Sequence, residues 1–213
     1  MLGEPQAVDP EVARTLSRDE VQRSRSFRYE RDRRRYVQRR TILRMILGQY
    51  LSAPAATIRF SYGPNGKPAL DVEDDAGLRF SLASSGEVAL YAVTRARRVG
   101  VDVEALRPLI DLAGLIARFC TPREASHMAG LAAEERERAA FAVWTRKEAY
   151  VKALGEGLSL APNQVDVSPG ADLGAWTIET MVPLPGYVGA VAAEGDDWRV
   201  RRLEWAPSRT VPA

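Results

Sequence analysis

Two acids alternate with valines in the segment 99–105, which reads Val-Gly-Val-Asp-Val-Glu-Ala. Residues of one parity share a face of a β-strand, so Asp102 and Glu104 would point the same way. Their Cα atoms would lie roughly 7 Å apart, and two carboxylates at that separation can converge on a hard divalent cation. A half-buried strand with a solvated acidic face is the alternative, and this short motif alone does not decide between them.

A third acid, Glu148, lies on the expected inward side of a predicted helix that spans 134–154. The apolar side chains of this helix recur along one stripe, at Phe141, Trp144, Val151 and Leu154. Glu148 stands on that stripe, where an unpaired charge is costly, so we expect a partner. Lys152, one turn later, could form an ordinary i,i+4 ion pair with it. Alternatively, Glu148 joins the two strand acids at a cation while Lys152 reaches a phosphate group.

Basic residues concentrate near one end of the chain, where ten arginines fall between Arg23 and Arg44 although the formal net charge is only +2. Guanidinium groups can bind two phosphate oxygens at once, which makes Arg23 and Arg35 candidates for phosphate binding. A solvated basic face is also compatible with the pattern. Lys67 follows a turn signal and, taken alone, is expected to be an exposed lysine at a hairpin tip.

The single histidine and the single cysteine offer little chemistry. Any histidine-dependent triad or metal site would have to use His127, which we expect to be a surface or packed side chain. Cys120 has no basic neighbour in sequence to lower the pKa of its thiol, so a buried, inert thiol is expected. The lone cysteine, the absence of a secretory signal and the lack of an apolar run of about 18 residues favour a soluble protein of the reducing cytoplasm.

Helical and β-like segments alternate along the chain. A helix is predicted from about Phe27, with a periodic set at Tyr36, Leu43, Ile46 or Leu47, and Tyr50. Short β-like runs follow at 57–61, 78–83, 88–93 and 99–105. Helical periodicity returns from Leu109 to Leu154, with Thr121 as a cap and Pro122 opening the next helix, and Gly155 and Gly157 end it. The last β-like runs lie near 165 and at 176–182, 187–193 and 198–205.

Three motifs occur in order: Gly66-Lys67-Pro68, the acidic strand at 99–105, and W-T-x-K-E-A-x-x-K-x-x-G-x-G at 144–157. In this order and at these separations, they resemble the Sfp-type 4'-phosphopantetheinyl transferases. The third motif carries most of the weight because it fixes many positions. The resemblance extends from about Arg18 to Ser168 and implies an α/β (α+β) fold of two similar lobes, here 1–105 and 106–213, related by a pseudo-twofold axis.

The resemblance implies an enzyme that moves the 4'-phosphopantetheine arm of coenzyme A to a serine of an acidic acyl or peptidyl carrier protein. It implies that Asp102, Glu104 and Glu148 bind magnesium at a cleft between the lobes. Lys152 would lie near the pyrophosphate and Lys67 on the coenzyme A phosphates. Glu148, directly or through a water, would accept the serine proton, so the expected catalytic group is Glu148, Lys152 and Asp102.

One position departs from the family pattern. Such enzymes usually have a histidine in an N-x-S-H-S stretch, whereas this chain has Ser84 in the place of the histidine. A coenzyme A phosphate contact would then be weaker, or would come from an N-terminal arginine or from the hydroxyls of Ser84 and Ser85. The complete expected coenzyme A-binding set is Arg23, Arg35, Lys67, Ser84, Ser85, Asp102, Glu148 and Lys152.

Two other functions compete with this interpretation. The arginine-rich helix of a basic chain could belong to a nucleic-acid-binding module, although that leaves an inward Glu148 unexplained. The other is a non-catalytic relative of the transferases that only binds coenzyme A or a carrier protein, although the intact acids argue against it. We expect a monomer with no nucleic-acid or membrane partner.

Overall fold

The structure is a computed structural model that describes residues 14–63, 65–71, 77–155 and 161–206. Its helices are α1 (Arg18–Arg25), α2 (Glu30–Leu51), α3 (Leu112–Phe119), α4 (Pro122–Ala129) and α5 (Ala133–Leu154). Its strands are β1 (Phe60–Tyr62), β2 (Pro68–Leu70), β3 (Leu78–Ser85), β4 (Val88–Arg95), β5 (Val99–Ala105), β6 (Trp176–Met181) and β7 (Tyr187–Glu194). The predicted mixed α/β fold of small sheets and packed helices is confirmed.

Strand pairing divides the described strands into three small antiparallel sheets. β1 pairs with β2, β3 pairs with β4, and the third sheet has the order β5-β7-β6. The run expected at 57–61 begins as a strand only at Phe60, and the segments near 165 and at 198–205 form no strand. Trp198 instead packs beside Val99 and donates its indole N–H to the carbonyl of Gly195 at 3.0 Å.

Helix α1 lies in a region that shows no hydrophobic periodicity, so the apolar pattern does not predict it. Its Glu20 accepts a hydrogen bond from the Ser17 backbone N–H at 2.9 Å, which closes the first turn. The carboxylate of Glu20 is buried and binds Arg40 at 2.5 Å and Arg44 at 2.7 Å, both on α2. Ion pairs rather than an apolar stripe therefore hold α1 on α2.

Helix α2 covers one face of the β3–β4 hairpin. Its Leu43 and Leu47 are fully buried against Leu78 and Phe80 of β3. The helix was expected from about Phe27 and begins at Glu30, and Tyr50 of the expected stripe is exposed. The expected stripe was therefore right at the two leucines and wrong at Tyr50.

Helix α4 begins as the sequence predicts. Thr121 caps it and accepts a hydrogen bond from the Glu124 N–H at 3.3 Å, while Glu124 accepts one from the Thr121 N–H at 2.8 Å. Pro122 occupies the first turn, where its missing N–H removes no helical hydrogen bond. Gly155 ends α5 with a left-handed backbone, as predicted, whereas Gly157 lies outside the described residues.

Strand β5 joins the hairpin to the three-stranded sheet. One edge of β5 pairs antiparallel with β7, from Val99 opposite Ala193 to Ala105 opposite Tyr187. At the other edge, the Val101 N–H donates to the Ser81 hydroxyl at 3.2 Å, and the Ala105 N–H donates to the hydroxyl of Ser85 at 3.0 Å. Both pairs are 20 residues apart in sequence, so β3 and β5 run parallel with serine hydroxyls as the acceptors.

Helix α5 packs closely on β5 because small residues meet at the crossing. A Cβ atom added to Gly100 would overlap the Ala149 carbonyl and the Ala153 backbone N–H. Ala149 and Ala153 are buried and pack against Ala190 and Ala192 of β7. The glycine of the strand motif is therefore a requirement of backbone contact between α5 and β5.

We expect Gly100→Ala to destabilise the protein by about 1–3 kcal/mol, because α5 would have to move off the strand to admit the methyl group. Urea unfolding measures the change. Gly130→Ala is the matched control: an added Cβ would come no nearer than 3.7 Å to a neighbouring atom, and φ is –80° there. A Gly100→Ala protein as stable as the Gly130→Ala protein would contradict this packing.

Candidate active site

Asp102 lies on the face of β5 that meets α5, two residues after the close contact at Gly100. It is only 6% exposed, so the alternative of a solvated face is wrong for this acid. The ammonium group of Lys152, on α5, donates to Oδ1 of Asp102 at 2.6 Å. The close approach of helix and strand thus brings one cation and one anion together in a mostly dry interface.

The second oxygen of Asp102 is left without a partner. Within the described part of the chain, the buried Oδ2 has no hydrogen bond. Burial raises the pKa of the carboxyl from its ordinary 3.8 to about 6, although Lys152 acts to lower it, and the charges of Glu148 and Glu104 raise it further. A second cation near this oxygen would give it a partner and would offset the repulsion between Asp102 and the neighbouring acids.

Glu104 continues the acidic face of β5 but is only half-buried. Its Oε2 accepts a hydrogen bond from the hydroxyl of Ser85 at 2.8 Å. The same oxygen lies 3.7 Å from the guanidinium of Arg107, whose side chain is 63% exposed. Ser85 therefore provides the closer contact of the two.

Glu148 is half-buried on α5 rather than enclosed in the core. Of the stripe that includes it, Phe141 is buried, whereas Trp144, Val151 and Leu154 are half-buried. In the described residues Lys152 pairs with Asp102, so the simple i,i+4 ion pair between Glu148 and Lys152 is not formed. Glu148 still acts on Asp102 through its charge, which places it near the acidic strand.

Two other charged residues of α5, Arg146 and Lys147, serve its packing on other parts of the chain. Lys147 is buried and pairs with Glu124 of α4 at 2.8 Å, and it also donates to the carbonyl of Pro162 at 2.7 Å. Arg146 donates to the carbonyl of Val167 at 2.5 Å. These residues of the 144–157 motif anchor the segment that follows the helix, a role that the motif pattern alone does not reveal.

Lys67 lies against the C-terminal end of α5 and is not an exposed turn lysine. Its ammonium donates to the Val99 carbonyl at 3.2 Å and to the carbonyl of Lys152. Burial lowers the pKa of Lys67, and Arg98 lowers it further. The neighbouring Asn65 donates to the carbonyl of Gly155 at 3.4 Å, so this turn is docked on the helix terminus, where cations are favoured.

The expected phosphate-binding residues of the first half lie around the β3–β4 turn and on α1. Arg35 binds Glu87 in that turn, and the exposed Arg23 stands 5.9 Å from the centre of the Tyr36 ring. Strand alternation separates the two serines that follow one another on β3. Ser85 faces β5, so Ser84 lies on the opposite face, the one that α2 covers.

The structure therefore brings Lys152 to Asp102 and Ser85 to Glu104, with Glu148 in electrostatic range of Asp102. Lys67 contacts the backbone at Val99 and Lys152, and Arg23, Arg35 and Ser84 have no described contact with these acids. His127 is exposed and Cys120 is buried, as expected, and burial raises the pKa of the thiol. Sequence reasoning missed Ser81 and the packing role of Gly100. The spacing of Ser81 and Ser85, four residues apart on one face of β3, could have indicated the first. The alanines four residues apart on α5 could have indicated the second.

The described residues contain no group of three or more acidic, histidine or cysteine side chains already arranged as a metal site. The convergence of Asp102, Glu104 and Glu148 on one cation thus stays a prediction. The donors nevertheless suit a hard cation, because all three are carboxylates and the buried Oδ2 of Asp102 lacks a partner. None of the helices in the described ranges has the length and apolar character that a membrane span requires.

Two family models match the chain. Residues 98–182 match the 4'-phosphopantetheinyl transferase superfamily, and residues 6–96 match the 4'-phosphopantetheinyl transferase N-terminal family. The two matches meet between β4 and β5, the strands on either side of residue 97. Together they contain every residue of the candidate site.

Several curated proteins are similar to the chain. The 4'-phosphopantetheinyl transferase HetI of Nostoc sp. strain PCC 7120 is 38% identical over 210 residues, which cover 93% of this chain and 86% of HetI. The 4'-phosphopantetheinyl transferase psf-1 of Bacillus pumilus is 35% identical over 133 residues, 62% of this chain and 55% of psf-1. The 4'-phosphopantetheinyl transferase Sfp of Bacillus subtilis strain 168 is 25% identical over 194 residues, covering 86% of this chain and 84% of Sfp.

The raised pKa of Asp102 predicts a pH-dependent cost in stability. The carboxyl titrates at 3.8 when unfolded and at about 6 when folded, so stability falls as the pH rises through this window. Asp102→Asn cannot ionise, and we expect it to gain about 3 kcal/mol relative to the parent between about pH 4 and about pH 7. Urea unfolding at each pH, with EDTA present, measures the difference.

Asp197→Asn is the control with the opposite sign. Arg97 lowers the pKa of Asp197 at the surface, so this variant should lose rather than gain stability relative to the parent as the pH rises. A difference between Asp102→Asn and the parent that does not change with pH would show that Asp102 is not the group that titrates.

Proposed function

The chain belongs to the 4'-phosphopantetheinyl transferase family, and we propose that it transfers the 4'-phosphopantetheine arm of coenzyme A to a serine of an apo acyl or peptidyl carrier protein. The products are the holo carrier protein and 3',5'-adenosine bisphosphate. The observation that carries the proposal is the ion pair between the buried Asp102 and the half-buried Lys152, because it joins the acidic strand motif to the helix motif at one point.

In the proposed reaction the serine Oγ of the carrier protein attacks the β-phosphorus of coenzyme A. A bond forms from that oxygen to phosphorus, the bond from phosphorus to the bridging oxygen breaks, and 3',5'-adenosine bisphosphate leaves. Glu148 accepts the serine proton, directly or through a water. Lys152, whose side chain is 32% exposed, places positive charge beside the leaving group.

Asp102, Glu104 and Glu148 would hold a magnesium ion in this proposal. When bound, such an ion neutralises charge on the pyrophosphate oxygens. The unpartnered Oδ2 of Asp102 supports this assignment, since a buried carboxylate oxygen without a hydrogen bond is costly. Lys152 donates a hydrogen bond to Oδ1 of Asp102, which leaves Oδ2 for the ion.

We propose that coenzyme A lies between two groups of candidate residues, one beside the β3–β4 hairpin and one beside the C-terminal end of α5. We assign Arg23, Arg35 and Ser84 to its phosphates on the hairpin side and Lys67 on the side of α5. Lys67 already donates to two backbone carbonyls, so it would use its remaining N–H toward a phosphate. The division of the chain into lobes at 1–105 and 106–213 stays a prediction.

The carrier protein partner is proposed to be acidic, with exposed arginines of this basic chain steering its approach. We further propose a monomer that acts in the cytoplasm, where its single free thiol would stay reduced.

The nucleic-acid alternative is not favoured. Six arginines of the basic run pair with carboxylates within the described residues: Arg31 with Asp32, Arg33 and Arg34 with Glu30, Arg35 with Glu87, and Arg40 and Arg44 with Glu20. Part of the positive charge of the run is therefore compensated within the chain, which weakens the case for an extended nucleic-acid-binding face.

A transfer assay tests the proposed function. The protein is incubated with coenzyme A, Mg²⁺ and an apo carrier protein, and mass spectrometry detects the added arm. We expect Asp102→Ala and Glu148→Ala each to lower kcat/KM by at least about 100-fold, because each removes charge stabilisation or proton transfer at the reacting groups.

His127→Ala is the control, since His127 is an exposed side chain on α4, outside the proposed machinery. It should transfer at the parent rate. Normal conversion by Asp102→Ala or Glu148→Ala would refute the site assignment, and no conversion by the parent protein with several carrier proteins would refute the function.

A further inference from the structure

Ser85 stands where the end of β3 meets the end of β5. Its hydroxyl accepts a hydrogen bond from the backbone N–H of Ala105 at 3.0 Å. It donates its own proton to Oε2 of Glu104 at 2.8 Å. Because a hydroxyl has a single proton, the backbone contact and the carboxylate contact together fix the direction in which that proton points.

Ser81 makes the same kind of contact with the backbone of β5 four residues earlier in each strand. It lies on the same face of β3, four residues before Ser85, and its hydroxyl accepts from the N–H of Val101 at 3.2 Å. Ser81 and Ser85 therefore share the structural task of linking β3 to β5. Only Ser85 has a carboxylate as a second partner, so the bond to Glu104 is an addition to that task.

Glu104 has a poorer alternative at the surface. Arg107 is 3.7 Å from the same oxygen and its side chain is mostly exposed, so this ion pair is weak and screened by solvent. Without the Ser85 hydroxyl, Arg107 would be the remaining described partner of this carboxylate. The orientation of Glu104 thus depends on a hydroxyl of the neighbouring hairpin.

We propose that Ser85 is a positioning residue that aims the Glu104 carboxylate at a divalent cation, and that it does not contact coenzyme A. This inference rests on the proposed function, in which Glu104 is one of the cation ligands. Its hydroxyl is already shared between Ala105 and Glu104, which leaves it poorly disposed toward a phosphate. Partners that orient metal ligands typically contribute 10- to 100-fold to metal affinity, which is about the effect expected here.

The test compares Ser85→Ala with Ser81→Ala, since each variant loses one link between β3 and β5. Binding of Mn²⁺ alone, without coenzyme A, is measured by electron paramagnetic resonance and by calorimetry. We expect Ser85→Ala to weaken Mn²⁺ binding about 10- to 100-fold and Ser81→Ala to leave it within about twofold of the parent. Ser85→Thr restores the hydroxyl and should recover most of the affinity.

Transfer assays on the same variants separate the possible failures. The proposal expects Ser85→Ala to raise the Mg²⁺ concentration needed for half-maximal rate while the KM for coenzyme A stays unchanged. Equal Mn²⁺ binding by Ser85→Ala and Ser81→Ala would overturn the inference, as would a raised KM for coenzyme A with unchanged Mn²⁺ binding. A parent that transfers but binds no Mn²⁺ would overturn the inference alone, whereas a parent that does not transfer would overturn the proposed function.

Discussion

The backbone contact between α5 and β5 is the constraint on which the site depends. Gly100 has no Cβ, and Ala149 and Ala153 present only methyl groups, so the helix reaches the strand at a distance that larger residues would forbid. Lys152 follows Ala149 by about one helical turn, and Asp102 follows Gly100 by two residues. The close approach at Gly100 therefore brings the Lys152 ammonium into contact with the Asp102 carboxylate. The charged pair exists because small residues allow its two elements to touch.

The same strand connects the two sheets. β5 pairs through its backbone with β7, and at its other edge its N–H groups donate to serine hydroxyls of β3. Because these contacts use side-chain hydroxyls and not backbone carbonyls, the hairpin remains a separate sheet. One of the serines, Ser85, also contacts Glu104. Structural connection and orientation of a functional carboxylate are therefore combined in one strand edge.

Buried ion pairs also hold other helices of this chain together, between α1 and α2 and, beside an apolar cluster, between α4 and α5. Glu20 attaches α1 to α2 through two arginines, and Glu124 attaches α4 to α5 through Lys147. Removing either carboxylate would leave buried cations without a compensating negative charge, which costs more than the pair contributes.

The sequence by itself determined the mixed α/β class, most strands, the long helix α5, the cap of α4 and the set of acids and lysines worth testing. Local spacing carries this information, because hydrophobic periodicity, capping residues and motif order act over a few residues. The sequence did not reveal α1, which has no apolar stripe, and it placed a strand at 198–205 where none forms.

Only the tertiary structure decided which of these charges meet. Spacing along α5 offered Glu148 as the partner of Lys152, yet the described contact is with Asp102, 50 residues away in sequence. The packing of the elements likewise directs Ser85, and not Ser84, at Glu104, and it directs Lys67 at the end of α5. The physical reason is that an ion pair between distant residues depends on how closely two elements pack, and that distance is set by small side chains far from the charged ones.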